Sequence, residues 1–354
     1  MSVRNRFGSA AAIALMATVS AVLLSACGPD NADSGATAAP GSKAPGSAAP
    51  GSAAPGTPAP GGASHSGSPA PGGKEVNGTS VANHLTISTG TRKVAMNGTL
   101  VDFGSVVRDL AWSPDGKKAV YVGGSGDLMT ANPDGTGGTT LAKHPDGEEW
   151  SHPTWQHAEK GPSGGAVPDE TERYDNIVFT AKKAGVLRLV KVPAKGGSVE
   201  DVSPSNSEGG DNANLPQPPQ TGNTWANAGG RHAEIAYANT PTNEVYIYDD
   251  YIRPATQDIG KGSQPALSPD GGKIVFVRAV NGHDHLFARS TEYDQKAEKD
   301  LTPSATTDFT EPAWSPDGRT VAARTPEGID TVPADGSAAP TQVSTLSGLP
   351  VYRP

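Results

Sequence analysis

The stretch AWSPDGKKAVYV, residues 111–122, is written again as ALSPDGGKIVFV at 266–277 and as AWSPDGRTVAAR at 313–324. A catalytic motif is needed once, so a dozen residues written three times point to architecture. Each SPDG reads as a turn with a mechanism. Proline presets φ for the second position of a type I turn, aspartate suits the third, and glycine takes the left-handed conformation that completes a three-residue hairpin loop. The strand after the turn then reads KAVYV, KIVFV or TVAAR, and the strand before it ends in an aromatic or large apolar residue.

With that template, fainter copies come into view. Pro153-Thr154-Trp155 opens one, whose second strand NIVFT follows at 176–180. Asn223-Thr224-Trp225 opens another, followed by AEIAYA at 233–238, and Pro350-Val351-Tyr352 opens a last one where the chain stops. Anchors therefore fall at Trp112, Trp155, Trp225, Leu267, Trp314 and Tyr352, at intervals of 43, 70, 42, 47 and 38 residues. Four of these lie near the spacing of about 40–45 residues that four-stranded propeller blades require. Two Gly/Pro/Asn/Asp-rich insertions, 156–173 and 203–222, account for the long interval. Beyond residue 27 there are no long apolar stretches of helical period. What recurs are short Val, Ile, Tyr and Phe runs between turn signals, the pattern of an all-β fold.

The sixth unit has no room to finish at the carboxyl terminus. HLTIS at 84–88, KVAM at 93–96 and TLVDF at 99–103 supply its missing strands. The expected fold is thus a six-bladed β-propeller closed by amino- and carboxyl-terminal strands sharing one blade, which leaves no long sheet edge open. The remaining turns agree: Pro133-Asp134-Gly135, Ala334-Asp335-Gly336 and Lys195-Gly196-Gly197 fall where third and fourth strands join.

Residues 1–27 read as an export signal. Arg4 and Arg6 precede an apolar run from Ala10 to Leu24, which ends in Leu24-Ser25-Ala26-Cys27. The run is too short to span a bilayer. Its tetrapeptide resembles the lipobox of bacterial lipoproteins, which implies cleavage before Cys27 and lipidation of that residue. Multiple acyl chains on one residue give stable anchoring. The expected location is therefore the outer face of the bacterial cell membrane. Cys27 is the only cysteine, so no internal disulfide forms. Residues 28–80, with APGSAAPGSAAPGTPAPGG at their centre, read as a disordered linker that cannot bury enough apolar surface to order itself. Such a tether averages on the order of 40 Å end to end as coil and reaches up to about 150 Å when extended.

The folded part, 81–354, resembles the TolB-type family of six-bladed propellers, carried by EPAWSPDGRTVAAR and QPALSPDGGKIVFVR. The resemblance implies the fold and a role in binding another macromolecule of the envelope or the extracellular space. It does not imply a particular partner, because propellers of this type serve many functions. The family's founding member carries an α/β domain before its propeller, where this chain has the lipobox and tether.

The formal charge of the chain is −9 and moves to near −11 once Arg4 and Arg6 leave with the signal. That excludes nucleic acid, whose binding needs clustered Lys and Arg. The repeated Asp115, Asp270 and Asp317 share one turn context, so they read as structural. Gly161-Pro162-Ser163-Gly164-Gly165 matches G-x-S-x-G but follows no strand and precedes no helix, so nothing activates Ser163. No calcium loop, phosphate loop or H-E-x-x-H occurs, and no cofactor is expected. His152, His157 and His232 are the histidines that could gather a metal, with Glu148 and Glu149, in the central channel.

The loops gathered at one mouth of the ring carry Asp146, Glu148, Glu149, Trp150, Asp211, Asp308, Phe309 and Glu311. Acids with interspersed aromatics on long loops suit a basic or sugar-like partner. The sequence therefore predicts a membrane-anchored binding protein for a protein or glycan, without catalysis. The alternatives are a metal-dependent lyase or hydrolase using channel histidines, and a structural subunit of an envelope complex.

Overall fold

The computed structural model describes residues 76–158, 174–207, 215–230, 232–251 and 254–354. Cys27, most of the linker, Ser163 and Asp211 lie outside them. Among the described residues no helix is long and apolar enough to cross a membrane.

Six four-stranded antiparallel sheets make up the body. Blade one begins with strand Arg108–Trp112, blade two with Glu148–Gln156, blade three with Asn223–Gly229, blade four with Ser263–Leu267 and blade five with Thr310–Trp314. The closing blade starts with the last strand, Leu349–Tyr352, and continues through Leu85–Ser88, Lys93–Met96 and Thr99–Asp102. Its ladder runs Leu85 opposite Tyr352, Thr86 opposite Val351, Ile87 opposite Pro350 and Ser88 opposite Leu349. The first strand of each blade packs against that of the next, and Leu349–Tyr352 packs against Arg108–Trp112, so the ring is closed. The chain ends thus meet as the repeats require.

The core is distributed around this ring. Six apolar clusters each bridge two neighbouring blades, such as Val275, Val277 and Leu286 with Trp314, Val321 and Val332 between blades four and five. Two anchor tryptophans also bond across the interface: the Trp112 indole N–H donates to Thr86 Oγ1 at 3.0 Å, and that of Trp314 to the Ala266 carbonyl at 2.9 Å. Burying an indole of this size gives each interface several kcal/mol on the scale of about 25 cal/mol per Å².

The SPDG turns are self-contained. In blade one the Ser113 hydroxyl donates to Asp115 Oδ1 at 2.7 Å, and Ser113 Oγ accepts the Lys118 N–H at 2.9 Å. The Gly116 N–H donates to the Ser113 carbonyl at 2.8 Å with Gly116 at φ 64°. The turns at Ser268 and Ser315 repeat each of these bonds. Four residues lie between the paired Ser113 and Lys118, one more than the three-residue loop expected. The serine side chain is the reason: it takes the N–H that the serine carbonyl would otherwise accept, while that carbonyl caps the glycine.

One anchor is corrected. In blade three Thr224 pairs with Ala238 and Asn227 with Ala236, so Ala228 stands where Trp112, Trp155, Leu267 and Trp314 stand in their blades. Trp225 lies three residues earlier and has a different task.

Candidate functional site in the central channel

Five of the six first strands are broken at the same place. The ladder skips between Arg108 and Ala111, Ser151 and Thr154, Thr224 and Asn227, Ser263 and Ala266, and Thr310 and Ala313. The first extra residue in each bulge is left-handed: Asp109 at φ 52°, His152 at 51°, Trp225 at 56°, Gln264 at 50° and Glu311 at 53°. None is glycine. Left-handed backbone costs a side-chain-bearing residue roughly 1–2 kcal/mol, and such strain persists where the surroundings fix it, most often at binding sites.

What fixes it here is a lateral relay. A bulge frees a main-chain N–H from the ladder, and in two of the five a side chain of another blade accepts it. Asp109 Oδ2 accepts the His152 N–H at 3.1 Å, and Gln264 Oε1 accepts the Glu311 N–H at 2.6 Å. One residue pair further on, Thr154 Oγ1 accepts the Ala228 N–H at 3.1 Å and Asn227 Oδ1 the Leu267 N–H at 2.8 Å. The His152 and Trp225 rings meet at 3.6 Å between centroids. These five residues form the waist of the channel.

Two cavities meet at that waist, and Asp109 and Glu311 line both. On the side of the SPDG turns lies an aromatic vestibule of about 440 Å³, walled by Trp112, Trp155, Trp225, Trp314 and Tyr352 with prolines between them. On the other side a polar mouth of about 590 Å³ is lined by Arg108, Glu148, Glu149, Lys182 and Arg324 among others. At the waist and in the vestibule wall, three polar atoms are buried without a partner: His152 Nδ1, Glu311 Oε2 and Trp155 Nε1. Each such atom costs about 1–3 kcal/mol unless something else satisfies it. Trp155 is the informative case, because the equivalent indoles of Trp112 and Trp314 bond to the neighbouring blade.

Electrostatics follow from this burial. Burial raises the Glu311 carboxyl, Arg324 at 2.9 Å opposes and the Asp109 charge adds to the rise, which together put it at about 7. Burial drives the His152 imidazole down, against the pull of Asp109. Burial thus acts against charge on both groups.

The residues expected from sequence are distributed as follows. Glu148, Glu149, Trp150 and Glu311 share the polar mouth. Within it, Glu148 is buried, accepting the Trp150 indole N–H at 2.7 Å and bonding Arg188 at 3.0 Å. Glu149 is exposed and pairs with Lys182 at 3.2 Å. Phe309 belongs to the core between blades four and five, while Asp308 accepts the Asp284 N–H at 3.0 Å. Asp146 is exposed beside the mouth but outside its lining. His152 and His157 line the vestibule, and His232 sits in the turn of blade three, so the three histidines do not converge.

The sequence reading missed Asp109, Gln264, the true station of Trp225 and the vestibule as a site. One signal was available. The residue preceding Pro153, Pro265 and Pro312 is polar in every copy and different each time, whereas its neighbours repeat.

No family model matches this sequence, and no curated protein matches it either. Solved structures do resemble it. A chain described as TolB from Agrobacterium tumefaciens is 14% identical with a TM-score of 0.49, covering 73% of this chain and 87% of that one. A chain of a nidogen–laminin complex is 11% identical with a TM-score of 0.50, covering 76% and 97%. At such identities the likeness concerns the fold alone. Closed ring, six blades and SPDG repeats together decide it. This is a six-bladed β-propeller.

Proposed function

We propose that this protein is an exported lipoprotein, anchored through Cys27 and held off the membrane by its linker, whose propeller binds an envelope or extracellular protein or glycan without catalysing a reaction. The bound segment enters the aromatic vestibule and reaches the waist. The observation that carries this reading is the set of orphaned buried polar atoms along the vestibule, His152 Nδ1 and Glu311 Oε2 at the waist and Trp155 Nε1 in the aromatic wall. Aromatic faces supply contact area at small entropic cost, and the orphaned donor and acceptors supply orientation. Five strained residues keep the arrangement rigid before a ligand arrives, which reduces the ordering cost of binding.

Four of the five tryptophans line the vestibule, so intrinsic fluorescence reports on it directly. Envelope extracts fractionated into protein and glycan pools should contain a component that shifts the emission of the full chain. That shift should vanish in Trp225→Ala while persisting in Glu149→Gln at the opposite mouth. If both pools leave the emission unchanged, or if Trp225→Ala responds as the parent does, the vestibule is not the binding site.

A further inference from the structure

Blade three departs from its neighbours at the turn between its first two strands. Blades one, four and five carry SPDG there, and each aspartate spends its carboxylate locally on a serine hydroxyl and a main-chain N–H. Blade three instead carries Gly229 to Ala233, followed by Glu234 at the start of the next strand. In this turn Glu234 Oε2 accepts the His232 N–H at 3.0 Å, and across the sheet Asp249 Oδ1 accepts the Tyr251 N–H at 2.8 Å. One oxygen of each carboxylate is thereby fixed to backbone. The other oxygens, Glu234 Oε1 and Asp249 Oδ2, face His232 Nδ1 at 3.9 and 3.8 Å. The imidazole is held in its own plane by the Tyr251 ring, stacked at 4.4 Å and 6°.

We propose that His232, Glu234 and Asp249 form a binding site for a first-row divalent metal ion of the zinc type. Their ligand atoms all lie within 4.8 Å of one another. A tetrahedral ion with bonds of about 2.0–2.1 Å sets its ligand atoms about 3.4 Å apart, so side-chain rotations must draw these atoms inward from separations of up to 4.8 Å. Three protein ligands leave the fourth position for water or a ligand group. The imidazole favours zinc and its neighbours over calcium and magnesium, which prefer all-oxygen sites.

A further observation points the same way. Glu234 and Asp249 line a cavity of about 260 Å³ bounded by Ile247, Leu267 and Thr291, so the carboxylates open onto space that water or an exogenous ligand group can fill. Gly230 at φ 75° packs against the site, and a side chain there would collide with Glu234 Oε2. The three ligand residues lie outside the channel waist and outside the vestibule lining.

The test is equilibrium dialysis of the purified full chain against zinc chloride, with thermal unfolding in parallel. The parent should bind one equivalent of zinc with a rise in melting temperature. Asp249→Asn and His232→Gln should each weaken zinc at least tenfold and abolish the rise. His283→Gln, which removes one half of a two-group contact with Asp308 at 3.5 Å, should bind zinc as the parent does. Absence of stoichiometric zinc from the parent, or undiminished binding in Asp249→Asn, would overturn the proposal. So would calcium binding equal to zinc and indifferent to His232→Gln. A melting temperature that responds to pH but not to zinc would identify a protonated histidine between two acids, and would overturn it too. Near-ultraviolet circular dichroism confirms that each variant remains folded.

Discussion

Two positions recur around this ring, and they recur in opposite ways. The SPDG turn keeps its residues and its bonds in blades one, four and five. The bulge keeps its backbone in five blades and changes its residue every time, from Asp109 through His152, Trp225 and Gln264 to Glu311. A repeated side chain that bonds only its own turn serves the fold. A repeated strained backbone presents five different side chains to one channel, and two of them, Asp109 and Gln264, also accept a main-chain N–H of the next blade.

Substitutions that act on one position and spare the other can break this contrast. The largest effect is expected at Gly271, left-handed at φ 70°, where a Cβ would stand 2.6 Å from Gly230 Cα. Gly271→Ala should lower stability in urea by more than about 3 kcal/mol, conformational cost plus clash. Gly318→Ala, equally left-handed at φ 67° but with nothing nearer than 4.0 Å, should cost about 1–2 kcal/mol. Equal losses at the two glycines would show that the turns do not differ in their surroundings.

Glu311→Gln comes next and is read through pH. The folded protein holds the Glu311 proton up to about 7, against an ordinary value of 4.5, so ionisation is harder in the folded state. Below pH 4.5 the group is protonated whether the chain is folded or not, and the two proteins should differ little. As pH rises from 4.5 to 7 the parent should lose stability that the variant keeps. The gap should reach at most about 3 kcal/mol and level off above pH 7. A gap that is constant across this window would show that burial does not hold the proton.

A smaller loss, about 1 kcal/mol, is expected for Ser315→Ala, which removes the hydroxyl bond to Asp317 and the acceptor for the Thr320 N–H. Its urea midpoint should move while vestibule fluorescence responses stay as in the parent. Gln264→Gly should show the reverse. Relief of the left-handed strain offsets the lost bond to the Glu311 N–H, leaving stability within about 0.5 kcal/mol of the parent. Partner binding should nevertheless weaken, because the waist loses its relay.

The turn was legible in the sequence because proline, aspartate and glycine each act through local geometry that carries over from one copy to the next. The ring closure was legible for the same reason: a half-finished sixth repeat needs strands from elsewhere. The bulge was not. His152, Gln264 and Glu311 each precede proline, which biases a residue toward extended backbone, yet the structure sets all three left-handed, and a side chain from another blade accepts the N–H of His152 and of Glu311. That is a tertiary decision with no local signature. Trp225 misled for a simpler reason: a tryptophan close to the expected spacing looks like another anchor, and only strand pairing reveals the three-residue slip. The acids of the polar mouth were visible as composition, but the burial of Glu148 against Trp150 and Arg188 depends on contacts that spacing does not encode.

The four-rung ladder between Leu85–Ser88 and Leu349–Tyr352 carries one more consequence. Its rungs join residues as far apart in sequence as Thr86 and Val351, 265 positions, so closing the circle carries the largest loop-closure cost in the molecule. Contacts of such separation slow folding, and this seam is expected to be among the last sheets to assemble.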